Sequence, residues 1–157
     1  MRLEYFQLID RIVEVTLADR TIRTEATVPL ESTIFEGHFP GRPLMPGVLL
    51  IESMAQTAGW LIIAATRFTR MPFLAAVKEA KLRQFVEPGT VLALSAELIH
   101  EGSGFAVTRA KVTADGKPVC NAELTFRVME FPDAAFRATM ESWAERLEFP
   151  IGALADG

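Results

Sequence analysis

Residues 47–65, GVLLIESMAQTAGWLIIAA, constrain the fold more than any other part of the chain. A run of this length nearly suffices to cross a bilayer. Glu52 and Gln56 sit in its middle, however, where a polar side chain facing lipid is costly. No other segment resembles a membrane span. The run therefore reads as a helix inside a soluble body. It is apolar nearly all round, which marks a helix covered on every side. Pro46 and Gly47 open it, and proline suits a helix start because the N–H it lacks would have no partner there. Met71-Pro72 closes the region.

The remaining segments supply what could cover such a helix. Residues 11–18 and 21–29 are rich in β-branched side chains and flank a short Asp-Arg turn, so they predict a hairpin. Residues 30–46 have no period and are dense in glycine and proline, which predicts a fixed irregular loop. After the helix, residues 73–86 predict a strand ended by Pro88-Gly89. In residues 91–100, Leu92, Leu94, Ala96 and Leu98 alternate onto one face. Residues 105–114 lead through Asp115-Gly116, a hairpin turn, to residues 118–130, where Cys120, Ala122, Leu124, Phe126 and Val128 share one face. Two strands, a loop, one buried helix and four antiparallel strands make an α+β arrangement. A sheet that curls around the helix would cover all its sides. A last amphipathic helix is predicted over 133–148, with Phe136, Met140, Trp143 and Leu147 on one face and Asp133 as cap. The expected division is a body of residues 1–130 and a helical extension of residues 131–157.

Composition closes off several functions. A net charge of −4 argues against a general nucleic-acid binder. With Cys120 as the only cysteine, no internal disulfide can form, and a reducing cytoplasm is the simplest setting. The first residues lack the charged, apolar and small-residue order of a signal peptide. Two histidines and one cysteine, without HExxH or CxxC, give no zinc pattern, and neither GxSxG, GxxxxGK[ST] nor GxGxxG is present.

Three features could carry chemistry together. Glu52 lies about two turns into the apolar helix, where a carboxylate must be paired, hydrogen-bonded or protonated. Raised carboxyl pKa values suit general acids. His38 lies in the Gly/Pro loop just before the helix and can exchange a proton near neutral pH. The Gly47 and Val48 amides, at the helix start, can hold a developing oxyanion. Taken singly, each has a plain structural explanation: a solvated glutamate, a loop histidine, a helix start. His100 ends a strand beside Glu101 and is read as solvated.

The run from Gly37 to Gln56, GHFPGRPLMPGVLLIESMAQ, closely resembles the signature of the FabA/FabZ family of 3-hydroxyacyl-[acyl-carrier-protein] dehydratases. Weaker likeness extends over roughly residues 8–128. The resemblance implies a hotdog fold, in which a curved antiparallel sheet wraps a central helix. It implies dimers or trimers of dimers, with active sites at the dimer interface, where the histidine of one chain meets the acid of the other. On this reading His38 removes the C2 proton of a 3-hydroxyacyl thioester, the Gly47 region stabilises the enolate-like oxygen, and Glu52 helps the C3 hydroxyl leave as water. Gln56, one turn after Glu52, orients the acid. Phe39, Val48 and Phe73 complete the substrate contacts, Phe73 standing where some members have a gating tyrosine. No metal or organic cofactor is implied. Glutamate as the acid resembles the FabZ branch. The FabZ-type His-Arg-Tyr-Pro stretch near the N-terminus is absent, and the C-terminal helix extends beyond the usual family end. These departures resemble a subgroup acting on long acyl chains, as in lipid A-type pathways.

The partner so implied is acyl carrier protein, which presents an acidic helix. Residues 60–86 hold five cations, Arg67, Arg70, Lys78, Lys81 and Arg83, against one acid, Glu79, a local net of +4. They form the expected docking patch, with scattered solubilising charge as the competing explanation. Two other functions suit the same scaffold: a hotdog acyl thioesterase, and a non-catalytic hotdog acyl-binding subunit.

Overall fold

A computed structural model describes residues 1–155. The first hairpin pairs β1 (Arg11–Thr16) with β2 (Thr21–Thr27). The chain then passes through α1 (Thr33–Gly37) and the long helix α2 (Gly47–Ala65). It lays down β3 (Arg70–Leu82) at the far edge of the sheet. β4 (Val91–Gly102), β5 (Phe105–Ala114) and β6 (Lys117–Glu130) fill the space between, as a meander. The order is β1-β2-β4-β5-β6-β3, with every neighbour antiparallel. α2 packs against β2, β3, β4, β5 and β6, so the curved sheet cradles it. This is the expected α+β, hotdog arrangement.

The alternation read from the strands decides which face is inside. Leu92, Leu94, Ala96 and Leu98 of β4 are all buried, as are Cys120, Ala122, Leu124 and Phe126 of β6. Each large apolar side chain so covered contributes roughly 1.5–3 kcal/mol. Asp115 and Gly116 both adopt positive φ, 49° and 73°, as a two-residue hairpin turn requires. Burial pushes the Cys120 thiol up to about 11, which leaves it a core residue.

Three expectations are corrected. The 30–46 loop contains a short helix, α1, whose Ser32 Oγ accepts from the Ile34 amide at 3.1 Å. That Ser cap was readable but was masked by the surrounding glycines and prolines. β3 begins at Arg70 and ends at Leu82, earlier than the predicted 73–86. Pro72 does not stop it, because an edge strand has one side without ladder bonds. α2 is not buried on every side: its first turn projects, with Val48 71% exposed. The helix is 72% buried over its most apolar window and belongs to the core, although its length and hydropathy alone would let it cross a membrane.

The last helix, α3 (Ala134–Arg146), starts where predicted. The Asp133 carboxylate accepts from the Phe136 amide at 2.7 Å. Its C-terminal end is tied down: the Ile12 amide donates to the Leu147 carbonyl at 2.8 Å. Phe149 meets Phe68 edge-on at 5.2 Å, and Trp60 lies 6.3 Å from Phe149. The final two residues of the expected 131–157 extension fall outside the described residues.

Candidate active site

His38 closes α1, its amide donating to the Ile34 carbonyl at 3.1 Å. The loop beyond is pinned by its own backbone. Phe39 and Arg42 exchange hydrogen bonds at 3.0 and 2.9 Å, Leu44 N–H donates to the His38 carbonyl at 2.9 Å, and Met45 N–H donates to Val86 at 2.8 Å. The His38 Nδ1 lies 2.9 Å from the Leu44 carbonyl oxygen. A carbonyl can only accept, so Nδ1 carries a hydrogen, and in the neutral ring Nε2 is the atom with the lone pair. The half-buried ring stacks on Phe39 with centroids 4.1 Å apart. The loop thus fixes both the direction and the tautomer of a base.

α2 begins immediately after. Its N-cap is Pro46, whose carbonyl accepts from Leu49 and Leu50 at 3.0 and 3.3 Å. The Gly47 and Val48 amides precede those first bonds, as the opening amides of a helix do. At Gly47 a Cβ would stand 2.4 Å from Leu82 Cδ1. Glycine there leaves room for the Leu82 side chain at the end of β3.

Glu52 is half-buried rather than engulfed. Gln56, one turn on, donates from Nε2 to Glu52 Oε1 at 3.2 Å and to the Phe6 carbonyl at 2.8 Å, while its Oε1 accepts from the Leu8 amide at 3.2 Å. A single amide side chain therefore joins the acid to the N-terminal segment. That segment is held from its other side by Glu4, whose carboxylate accepts from Ser32 Oγ at 2.6 Å and from the Thr33 amide at 2.9 Å. Those bonds, the Ser32 hydroxyl first, hold the Glu4 carboxyl down at about 2.

Glu52 and Gln56 open onto a cavity of about 670 Å³ between α2, β3 and α3. Ala55, Gly59, Trp60 and Ile63 continue its α2 wall, and Met71, Pro72 and Leu74 line it from β3. The sequence reading missed this wall, although the signal was there: 52, 56, 59, 60 and 63 form one helical stripe that begins at the acid. His38, Phe39, Gly47, Val48 and Phe73 do not line the cavity of their own chain. Phe73 stands on the edge strand, 41% exposed and opposite Arg127. Leu74, Val77 and Leu82 are similarly exposed along β3.

The five cations are not equivalent. Arg67 donates to the Leu154 carbonyl, Arg70 pairs with Glu130 at 3.5 Å, and Arg83 donates to Asn121 at 3.1 Å. Lys78 and Lys81 lie on exposed β3, and no carboxylate pairs with either among the described residues, although Lys78 stands opposite Glu123 in the ladder.

Residues 2–123 match the model of the FabA-like domain. The chain is 38% identical over 126 residues to a 3-hydroxyacyl-[acyl-carrier-protein] dehydratase FabZ of Levilactobacillus brevis, covering 80% of this chain and 84% of that one. A FabZ of Clostridium acetobutylicum is 37% identical over 123 residues, covering 78% and 86%. Among solved structures, a hypothetical thioesterase with coenzyme A from Streptococcus pneumoniae superimposes with a TM-score of 0.61 at 17% identity, over 78% of this chain and 90% of that one. The dehydratase heterocomplex ApeI:P from Xenorhabdus doucetiae gives 0.61 at 16% identity, over 86% and 89%. At these identities the structural likenesses speak for the fold alone.

Proposed function

Because the chain belongs to the FabA-like family, we infer that it dehydrates 3-hydroxyacyl-[acyl-carrier-protein] to the trans-2-enoyl thioester in fatty-acid biosynthesis. The observation that carries the reading is that the matched span, residues 2–123, contains both His38, with its Nε2 lone pair free to accept a proton, and Glu52 at the head of an apolar cavity.

In this mechanism His38 Nε2 takes the C2 proton. Negative charge moves to the thioester oxygen, where the Gly47 and Val48 amides meet it. The C2–C3 double bond forms as the C3–O bond breaks, and Glu52 gives the departing hydroxyl its proton, so water leaves. Gln56 holds the Glu52 carboxyl in place. The proton on His38 then returns through solvent to restore Glu52.

The working unit is a homodimer. His38 does not line the cavity that Glu52 opens onto in its own chain. β3 presents a long unpaired edge with Phe73, Leu74, Val77 and Leu82 exposed, beside the exposed first turn of α2. Proteins rarely leave such an edge uncovered. Pairing of two β3 edges would cover these side chains and bring the His38 loop of one chain toward the Glu52 face of the other. Trimers of dimers, a cytoplasmic setting and a long-chain, lipid A-type specialisation belong to the same proposal.

Acyl carrier protein is the proposed partner, with Lys78 and Lys81 as its most available cations and Arg67, Arg70 and Arg83 as flanking charge. Reversing the charge of Lys81 and Arg83 is expected to raise KM for carrier-bound substrate far more than for a short thioester mimic. An equal effect on both discards the patch. The function itself is tested by incubating the protein with 3-hydroxyacyl thioesters: enoyl absorbance reports dehydration, whereas free thiol without it reports a thioesterase.

A further inference from the structure

We propose that α3 forms the far wall of an acyl-chain pocket, and that Phe136, Thr139, Met140 and Trp143 set which chain lengths it accepts. The inference rests on the dehydratase reading of Glu52 and adds the location of the substrate's tail. α3 begins at Ala134, beyond the span matched by the family model.

The first observation is the space itself. α3 packs on the body through Met140 and Ala144, which are buried, and beside them it walls a half-open pocket of about 670 Å³, a size typical of small-molecule sites. Leu147 and Phe149 anchor its C-terminal end to the body, and the Asp133 carboxylate caps its own first turn. Between these ends, Phe136 and Trp143 both line the cavity and remain 36% and 38% exposed. Phe136 lies 6.1 Å from Phe131 and Arg146 lies over Trp143, so both rings are held in place at the pocket wall.

The second observation is polarity along the cavity. Of the α2 residues that line it, Glu52 is nearest the helix N-terminus and Ile63 nearest the C-terminus. Eleven residues of helix rise about 16 Å. Past Gln56 that wall consists of Gly59, Trp60 and Ile63, without a charge. At Gly59 a Cβ would make only ordinary contact with Pro72, at 3.6 Å. Apart from Glu52, each charged residue that touches the cavity has a partner, Arg146 within the wall itself. Asp10 accepts from the Met1 ammonium at 2.5 Å and from the Thr27 amide at 2.7 Å, Arg2 lies over Tyr5, and Arg146 lies over Trp143. They do not converge as a second ionic site. The shape suits a ligand with one reactive polar end, at Glu52, and an unbranched hydrocarbon tail running toward α3.

Two measurements test this on the full chain. The first uses wild-type protein and a 3-hydroxyacyl pantetheine thioester carrying a photoreactive diazirine at the tail end. Labelled peptides from residues 134–147 are expected; labelling confined to α2 and the sheet overturns the proposal. The second compares kcat/KM for long and short 3-hydroxyacyl thioesters. Filling the wall with Thr139→Trp should lower the long-to-short ratio at least about tenfold, and Trp143→Ala should raise it. A ratio unchanged in both variants overturns the proposal. Because it is a ratio taken on one preparation, partial unfolding does not mimic the effect. If wild-type protein forms no enoyl product from any substrate, the dehydratase reading fails, and labelling of α3 still supports an acyl pocket.

Discussion

The two faces of α2 treat buried polar groups in opposite ways. Toward the sheet, Met54, Ala58, Leu61 and Ile62 are wholly covered, and so are two polar residues, Ser53 and Thr57. These are satisfied locally: Ser53 Oγ donates to the Leu49 carbonyl at 2.9 Å, Thr57 Oγ1 donates to the Ser53 carbonyl at 3.0 Å, and the Thr24 and Thr57 hydroxyls meet at 2.8 Å. Toward the cavity, Glu52 and Gln56 are only half-covered, and Gln56 spends its hydrogen bonds on the acid and on two backbone groups of the N-terminal segment. A polar residue whose bonds close within the scaffold serves packing. One whose bonds position a neighbouring carboxyl beside open space is the one proposed to serve chemistry.

Substitutions on the two faces should therefore separate activity from stability. The largest expected effect is on the cavity face, where Glu52→Gln should lower kcat by about 10²–10⁴-fold with little change in thermal midpoint. Full activity in that variant contradicts the mechanism. Gln56→Leu should affect both properties. Misplacing the acid should cost up to about 10²-fold in kcat. The Phe6 carbonyl and Leu8 amide would lose their partner at about 1–3 kcal/mol, read by denaturant titration. On the sheet face, Thr57→Val should cost about 1–3 kcal/mol by stranding the Thr24 hydroxyl, while kcat stays within twofold or so. The double variant Thr24→Val/Thr57→Val should recover most of that loss. A large fall in kcat from Thr57→Val would erase the contrast between the faces.

The smallest effect concerns the segment that Gln56 grips. The Glu4 carboxyl is held at about 2, below its ordinary 4.5, chiefly by Ser32. A carboxyl depressed on folding adds stability above its unfolded pKa, and that stability is lost as pH falls toward the folded value. The Thr33 amide, which donates to Glu4, should stay protected from hydrogen exchange at pH 4.5 and lose protection only as pH approaches 2. Loss of protection near pH 4.5 would show that Glu4 does not secure the segment.

How much of this was legible in the sequence depended on the range of the interactions. Alternation in β4 and β6 gave the inward faces correctly, because a strand's period of two is local. The polar pair Glu52 and Gln56 stood out because helical spacing alone places them on one face. α1 was overlooked because its single capped turn is too short for a period to develop. The cavity wall was not legible as a wall. Met71 and Leu74 on β3 and Trp143 on α3 are separated from Glu52 in sequence, and only the placement of β3 at the sheet edge and of α3 across the open side brings them to it. The exposed first turn of α2 eluded the composition argument for a related reason. A run apolar on all sides predicts that something covers it, and among the described residues nothing covers Val48, which is 71% exposed.

The central claim is that the working site is shared, with His38 of one chain serving Glu52 of another. Subunit mixing tests it directly. His38→Ala and Glu52→Gln proteins, each inactive alone, are unfolded together, refolded and assayed. In a shared site, every mixed dimer contains one centre with both native residues, so dehydration should reappear in proportion to the mixed dimers formed. In a site built within one chain, both centres of every mixed dimer lack a residue. Mixed dimers that form but remain inactive would contradict the account.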